Sequence, residues 1–348
     1  VRLASSTLDA IVAPLDALRG ALLRALGRSS PRLARSIADR ELRVNAVAVA
    51  GVLVSLALTI VAPLWLLALG PVLLGGAHLF ADVRYLVVRE GLHRRRLAWA
   101  LVAAPLAIGA LTSLGSKAFV LSVVGGALVA KGAHRGRKAL SLALAAGLTA
   151  FVCAAPSASE LALAHAHNFI AVLLWLAWRP RARRGHWLVL ALFVAGNVAL
   201  LSGALDPLVA WASGLSRGPD ELPLGLHMNA LAPWPERIDL SRRAVLAFAF
   251  SQSVHYGIWL RAIPEVARRS PTPRTFRQSV RGMSSELGPR GSWLVLAALL
   301  ACLGLALWST IDLVAARTGY LRFALFHGYL ELAVVAWLLA EPKRGGTE

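Results

Sequence analysis

The chain has 348 residues; 57% are hydrophobic, only 16% are charged, and the formal net charge is +19. An ordinary soluble domain carries roughly 25% charged residues. Together with a mean hydropathy of +0.63, this excludes a disordered chain, a coiled coil and a soluble enzyme, and fits an all-α, polytopic transmembrane helical bundle.

In chain order, residues 1–43 come first as an N-terminal segment. Asp9, Asp16, Arg19 and Arg24 interrupt its apolar residues, so it lacks the pattern of a signal peptide. Leu8, Ile11, Val12, Leu15, Leu18, Leu22 and Leu26 recur at helical spacing. They predict an amphipathic helix on the cytoplasmic membrane surface, or else a cap packed on the bundle. Residues 44–342 then read as a single transmembrane domain of ten spans, near 44–69, 71–88, 97–114, 118–130, 139–155, 159–178, 186–204, 243–262, 292–315 and 319–340. Alternating the loops puts 29 of the 37 basic residues on the side of the N-terminus and seven on the other, with Arg84 inside the second span. That asymmetry predicts a multi-pass protein with both termini cytoplasmic. It also explains the basic clusters by topology, so nucleic acid is not expected as a partner.

The outer loop 205–242 has an apolar middle, PLGLHMNALAPW, and is expected to fold back over the bundle as a lid. The basic cytoplasmic loop 263–291 reads as a solvated loop facing anionic headgroups. Cys153 and Cys302 lie in apolar runs and read as small core residues.

An ionisable residue at mid-membrane costs several kcal/mol on most scales and needs a reason. The second span (GGAHLFADVRYLVVRE) carries His78, Asp82, Arg84 and Tyr85, and the sixth carries His165, His167 and Asn168. The eighth carries Gln252, His255 and Tyr256; the tenth carries His327, Tyr329 and Glu331. All four run in the same direction. At 1.5 Å per residue, the depths of His78, His165, His255 and His327 agree within roughly 9 Å. Neutral imidazole is the commonest nitrogen ligand for iron, copper and zinc, so these four are the expected metal ligands. Asp82 follows His78 by four residues and Glu331 follows His327 by four, the spacing of a carboxylate that orients a ligating imidazole. His165 and His167 are two apart and do not share a face, so one of them is expected to ligate, and His165 is favoured. His227 in the outer loop is a possible fifth group. His93, His134 and His186 lie in or beside basic loops and are expected to be solvated, while Asn197 and Asp312 are polar residues within spans with no evident partner.

The histidine–small–acid segments HLFAD (His78 to Asp82) and HGYLE (His327 to Glu331) resemble those of the Brp/Blh-type membrane β-carotene-cleaving oxygenases. The resemblance covers four short segments. It departs from the family's pattern at Ala77, where a proline often precedes the first histidine, and in lacking paired histidines three apart. It implies a bacterial inner-membrane protein that holds iron (Fe2+) through histidines and oxidises an apolar, bilayer-dissolved small molecule such as a carotenoid or another lipid. Asp82, Glu331 and Tyr256 are the expected catalytic residues beside the metal. A b-type haem electron-transfer protein would use two of the same histidines as axial ligands. A proton-coupled transporter would use Asp82, Arg84 and Glu331.

Overall fold

The computed structural model describes residues 2–112, 114–131, 134–177, 184–267 and 274–341. The basic stretch 179–183 and the tail with Lys343 and Arg344 lie outside the described residues. Among the described residues every regular element is helical.

In chain order these are α1 (Arg2–Ser29), α2 (Pro31–Ala38), α3 (Arg40–Val61), α4 (Pro63–Val88), α5 (Arg96–Leu111), α6 (Ser116–Val129), α7 (Arg135–Ala154), α8 (Pro156–Ala177) and α9 (Arg184–Ser202). Short helices α10 (Asp206–Trp211) and α11 (Leu224–Leu231) lead to α12 (Ile238–Gly257). Then come α13 (Phe276–Glu286), α14 (Gly291–Ile311), α15 (Leu313–Ala324) and α16 (Phe326–Ala340). Among the described residues, seven helical stretches are long and apolar enough to cross a membrane, while α5 and α6 are apolar but shorter. The protein is thus a membrane-type helical bundle that would contact lipid.

Several span ends move from their expected places. The expected 44–69 span breaks at Val61, because Pro63 has no amide hydrogen and disfavours the helical conformation at Ala62. Pro63 instead opens α4, and Pro156 likewise opens α8. Asp312 is not a bare polar residue inside a span. It separates α14 from α15, and its Oδ1 accepts from the Ala315 amide at 2.8 Å.

The chain forms two compact units, Val1–Ala81 with Ala171–Ala316, and Asp82–Ile170 with Arg317–Glu348. In the first, α9 and α12 pack on each other and both on α3. α12 is buried along almost its whole length. Asn197 and Ser251, in α9 and α12, satisfy each other at 2.8 Å, which gives Asn197 the partner its sequence did not reveal. The 205–242 segment is structured, with Leu222, His227 and Leu231 buried. It lies against the break between α3 and α4: Gly214 fits against the Ile60 carbonyl, and Gly218 against the Leu64 side chain.

The amphipathic α1 is tied down at its acidic face. Ala4, Leu8 and Val12 form its buried stripe, whereas Leu3, Leu18 and Leu22 remain exposed. Asp16 accepts from the Phe276 and Arg277 amides at 2.6 and 3.0 Å, so it caps α13, and Arg281 reaches Asp9 at 2.5 Å. The hydrogen bond from Arg281 holds the Asp9 carboxyl below the usual range. The expected 263–291 loop is not a plain loop where it is described, although none of the residues of its helix is buried. It contains α13, opened by a Thr275–Gln278 capping box and docked on α1.

In the second unit, α6 packs against α5, α7 and α16. It has no long side chain where the backbones approach most closely. A Cβ at Gly125 would collide with the Leu101 carbonyl of α5, and one at Gly126 with the Ala333 carbonyl of α16. Small residues at such contacts are how helices associate without a hydrophobic driving force between them.

One end of this unit is fastened by Glu341. Arg95 donates to both its oxygens at 2.8 and 2.9 Å, the Lys131 amide donates at 2.6 Å and Trp337 Nε1 at 3.2 Å. These bonds, Arg95 foremost, lower the Glu341 pKa to about 2 from an ordinary 4.5. The folded-state value lies below the unfolded one, so the stabilisation is complete above about pH 4.5 and fades as the pH falls towards 2. Because the pair is part-exposed, Glu341→Gln is expected to cost about 1–2 kcal/mol near neutral pH. Thermal melts in detergent should show that difference at pH 7 and its progressive loss between pH 4.5 and the acid limit.

Candidate metal centre

In the first unit α4 supplies His78 and α12 supplies His255. Small residues let α4 come close to its neighbours: a Cβ at Gly76 would sit 2.7 Å from Cys302 Sγ in α14, and one at Gly70 would sit 3.3 Å from the Tyr256 ring. His78 is 0% and His255 1% exposed, and their Nε2 atoms face each other at 2.9 Å. The rings meet edge to face with centroids 4.6 Å apart. Tyr256 and Trp259 close around His78, with ring centroids at 5.5 and 5.8 Å. Directly after Gly257 the helix widens into a π-helical turn, Ile258–Ala262. Such turns are frequent at functional sites because they shift the register of the residues that follow.

Two other histidines of this unit are also buried. His186 is 0% exposed and stacks on Trp175 with centroids 4.7 Å apart. The expectation that it is solvated is overturned, because the neighbouring arginines hide a ring-on-ring contact that only the folded chain creates. His227 is buried within α11.

The second unit gathers the remaining residues. Asp82 and Glu331 are both fully buried, with carboxylate oxygens within 4.8 Å of one another. Two buried carboxylates at that distance repel when both are charged, so the pair favours a proton or a cation. Arg84, two residues after Asp82, is also buried, with its guanidinium 4.9 Å from the Tyr85 ring centroid. Here too a π-helical turn, Val83–Val88, begins immediately after the acid.

His327 meets His167, with ring centroids 5.1 Å apart, while His165 is half-buried two residues away. The sequence favours His165, but the ring that meets His327 is that of His167. His167 Nδ1 donates to the Ala164 carbonyl at 3.1 Å, and His327 Nδ1 donates to the Ala324 carbonyl. A carbonyl accepts only from a protonated ring nitrogen, so each imidazole presents Nε2 as its lone-pair nitrogen. That is the tautomer a metal-ligating histidine adopts when a backbone carbonyl holds its other nitrogen.

An apolar pocket of about 420 Å³ opens in the second unit. Trp99, Val102 and Leu106 of α5 line one side, and Phe323, Phe326 and Leu330 line another. Phe326 and Leu330 flank His327 and Glu331 along α16. Compared with family models, curated proteins and solved structures, the chain finds no match in any of the three.

Proposed function

We propose that this protein is an integral-membrane, non-haem iron oxygenase acting on an apolar substrate dissolved in the bilayer, a carotenoid or another lipid. The buried imidazole pair carries this reading. Ligand nitrogens about 2.0–2.1 Å from a metal and at right angles to each other lie about 2.9 Å apart. The His78–His255 Nε2 separation of 2.9 Å fits that spacing. Buried, mutually facing nitrogens also suit ferrous iron better than a hard, oxygen-preferring cation.

When bound, iron would supply the redox chemistry with dioxygen. The chain's own residues do the rest. His78 and His255 hold the ion, and the Tyr256 and Trp259 rings fix the orientation of His78. Asp82 and Glu331 supply a buried acidic pair for proton transfer. The apolar pocket beside Phe326 and Leu330 admits a substrate from the lipid and excludes water. The arginine asymmetry supports a cytoplasmic location for both termini and the basic loops.

Metal analysis of the detergent-purified protein with its visible spectrum tests the reading. About one iron per chain without a Soret band is the expected result, followed by oxygen-dependent consumption of a carotenoid or lipid. A Soret band would replace it with a b-type haem protein. Metal-free protein after incubation with ferrous iron would overturn it and favour a proton-coupled carrier, for which the Asp82–Glu331 pair is the supporting observation.

A further inference from the structure

A second cavity, of about 420 Å³, opens in the first unit where α1, α13 and the end of α12 come together. Its composition is divided. Leu18, Leu22 and Phe276 give it an apolar wall, and these side chains are 58%, 62% and 44% exposed. Arg19, Arg43, Arg261 and Arg274 line the same cavity, against one acid, Glu265. Glu265 is committed to Arg43, which holds its Oε1 from Nε at 2.8 Å and from Nη2 at 2.5 Å. The nearby acids of α1 are committed as well, Asp16 to the start of α13 and Asp9 to Arg281. The cavity therefore keeps a net positive charge beside an exposed leucine ridge.

We propose that this cavity binds an anionic phospholipid of the surrounding bilayer. The headgroup phosphate would be held by Arg19, Arg261 and Arg274, with an acyl chain lying along Leu18, Leu22 and Phe276. Charge complementarity and the continuous apolar wall select this occupant. A soluble anion would use the arginines but gain nothing from the leucines, and a zwitterionic lipid would use the leucines but bring its own cation to the arginines. The site would make α1 and α13 a lipid-dependent collar, independently of what the buried histidines bind.

The test uses the full chain in phosphatidylcholine nanodiscs, titrated with a fluorescent phosphatidylglycerol. The parent protein is expected to prefer phosphatidylglycerol over phosphatidylcholine. Arg261→Gln/Arg274→Gln is expected to weaken phosphatidylglycerol binding roughly 30-fold, from two lost cation–anion contacts. Thermal stability in phosphatidylcholine alone serves as the folding control. Equal affinity in parent and variant would overturn the proposal. Displacement of the lipid by millimolar inorganic phosphate would do so too, by identifying a soluble-anion site. Where the variant fails to fold, the parent's preference decides: equal retention of the two lipids through delipidation rejects the site.

Discussion

His255→Ala is expected to reduce iron retention by more than about 100-fold, since even a group that only supports a ligand is worth 10–100-fold in affinity. The measurement is iron per chain after gel filtration, for parent and variant purified in parallel. His255 is 1% exposed, so truncation also opens a cavity, and the folded state must be checked by its melt. His255→Gln keeps most of the volume and separates the two effects. If the imidazoles only share a hydrogen bond, both variants lose stability and leave iron content untouched, which would sink the metal assignment. Parallel measurements on His327→Ala, His167→Ala and His165→Ala rank the histidines of the second unit, where sequence favours His165 and the ring contacts favour His167.

Glu265→Ala is expected to destabilise the protein by about 3–5 kcal/mol, because it strands a buried guanidinium. Arg43 and Glu265 are 5% and 4% exposed. Arg43 Nη1 also donates to the Ile37 carbonyl at 2.6 Å and the Ala38 carbonyl at 3.1 Å, where α2 ends. Arg40 donates to the Glu265 carbonyl at 3.1 Å and to that of Val266. Losing the carboxylate therefore loosens the junction of α2, α3 and the segment after α12 together. The check is the melting temperature in detergent. A shift no larger than that of an exposed control such as Glu236→Ala would refute the estimate. Glu265→Gln should fall between, since an amide still accepts one hydrogen bond but lacks the charge.

The helical segments were legible because apolar runs of membrane length have few alternatives; each expected span falls on helix, but among the described residues seven helical stretches rather than ten are long and apolar enough to cross a membrane. The error at Val61 came from reading hydropathy across Pro63, although that proline marks a helix start, whereas the break before Pro156 was placed between the expected 139–155 and 159–178 spans. The cap at Asp312 was equally legible, as an acid preceding a helical run. Other features depend on elements far apart in sequence. Nothing near Asn197 announces Ser251, and nothing near Asp16 announces the amides of Phe276 and Arg277. The burial of His186 against Trp175 runs against its basic surroundings. In the candidate site, spacing drew attention to the histidines and to both acids. It favours His165 over His167, whereas the ring that meets His327 is that of His167.

The contact of Gly125 with α5 reaches further than the helix pair itself. In a bilayer the lipid tails compete with leucine on equal terms, so helices gain most from direct backbone proximity. The Leu101 carbonyl pressed against Gly125 lies between Trp99 and Val102, two residues that line the apolar pocket. The distance between that wall and α6 is therefore set by a hydrogen atom where any other residue would carry carbon. The bore of the pocket is calibrated from behind, by a position that does not line it, and a methyl group placed there would change its width before it changed any lining side chain.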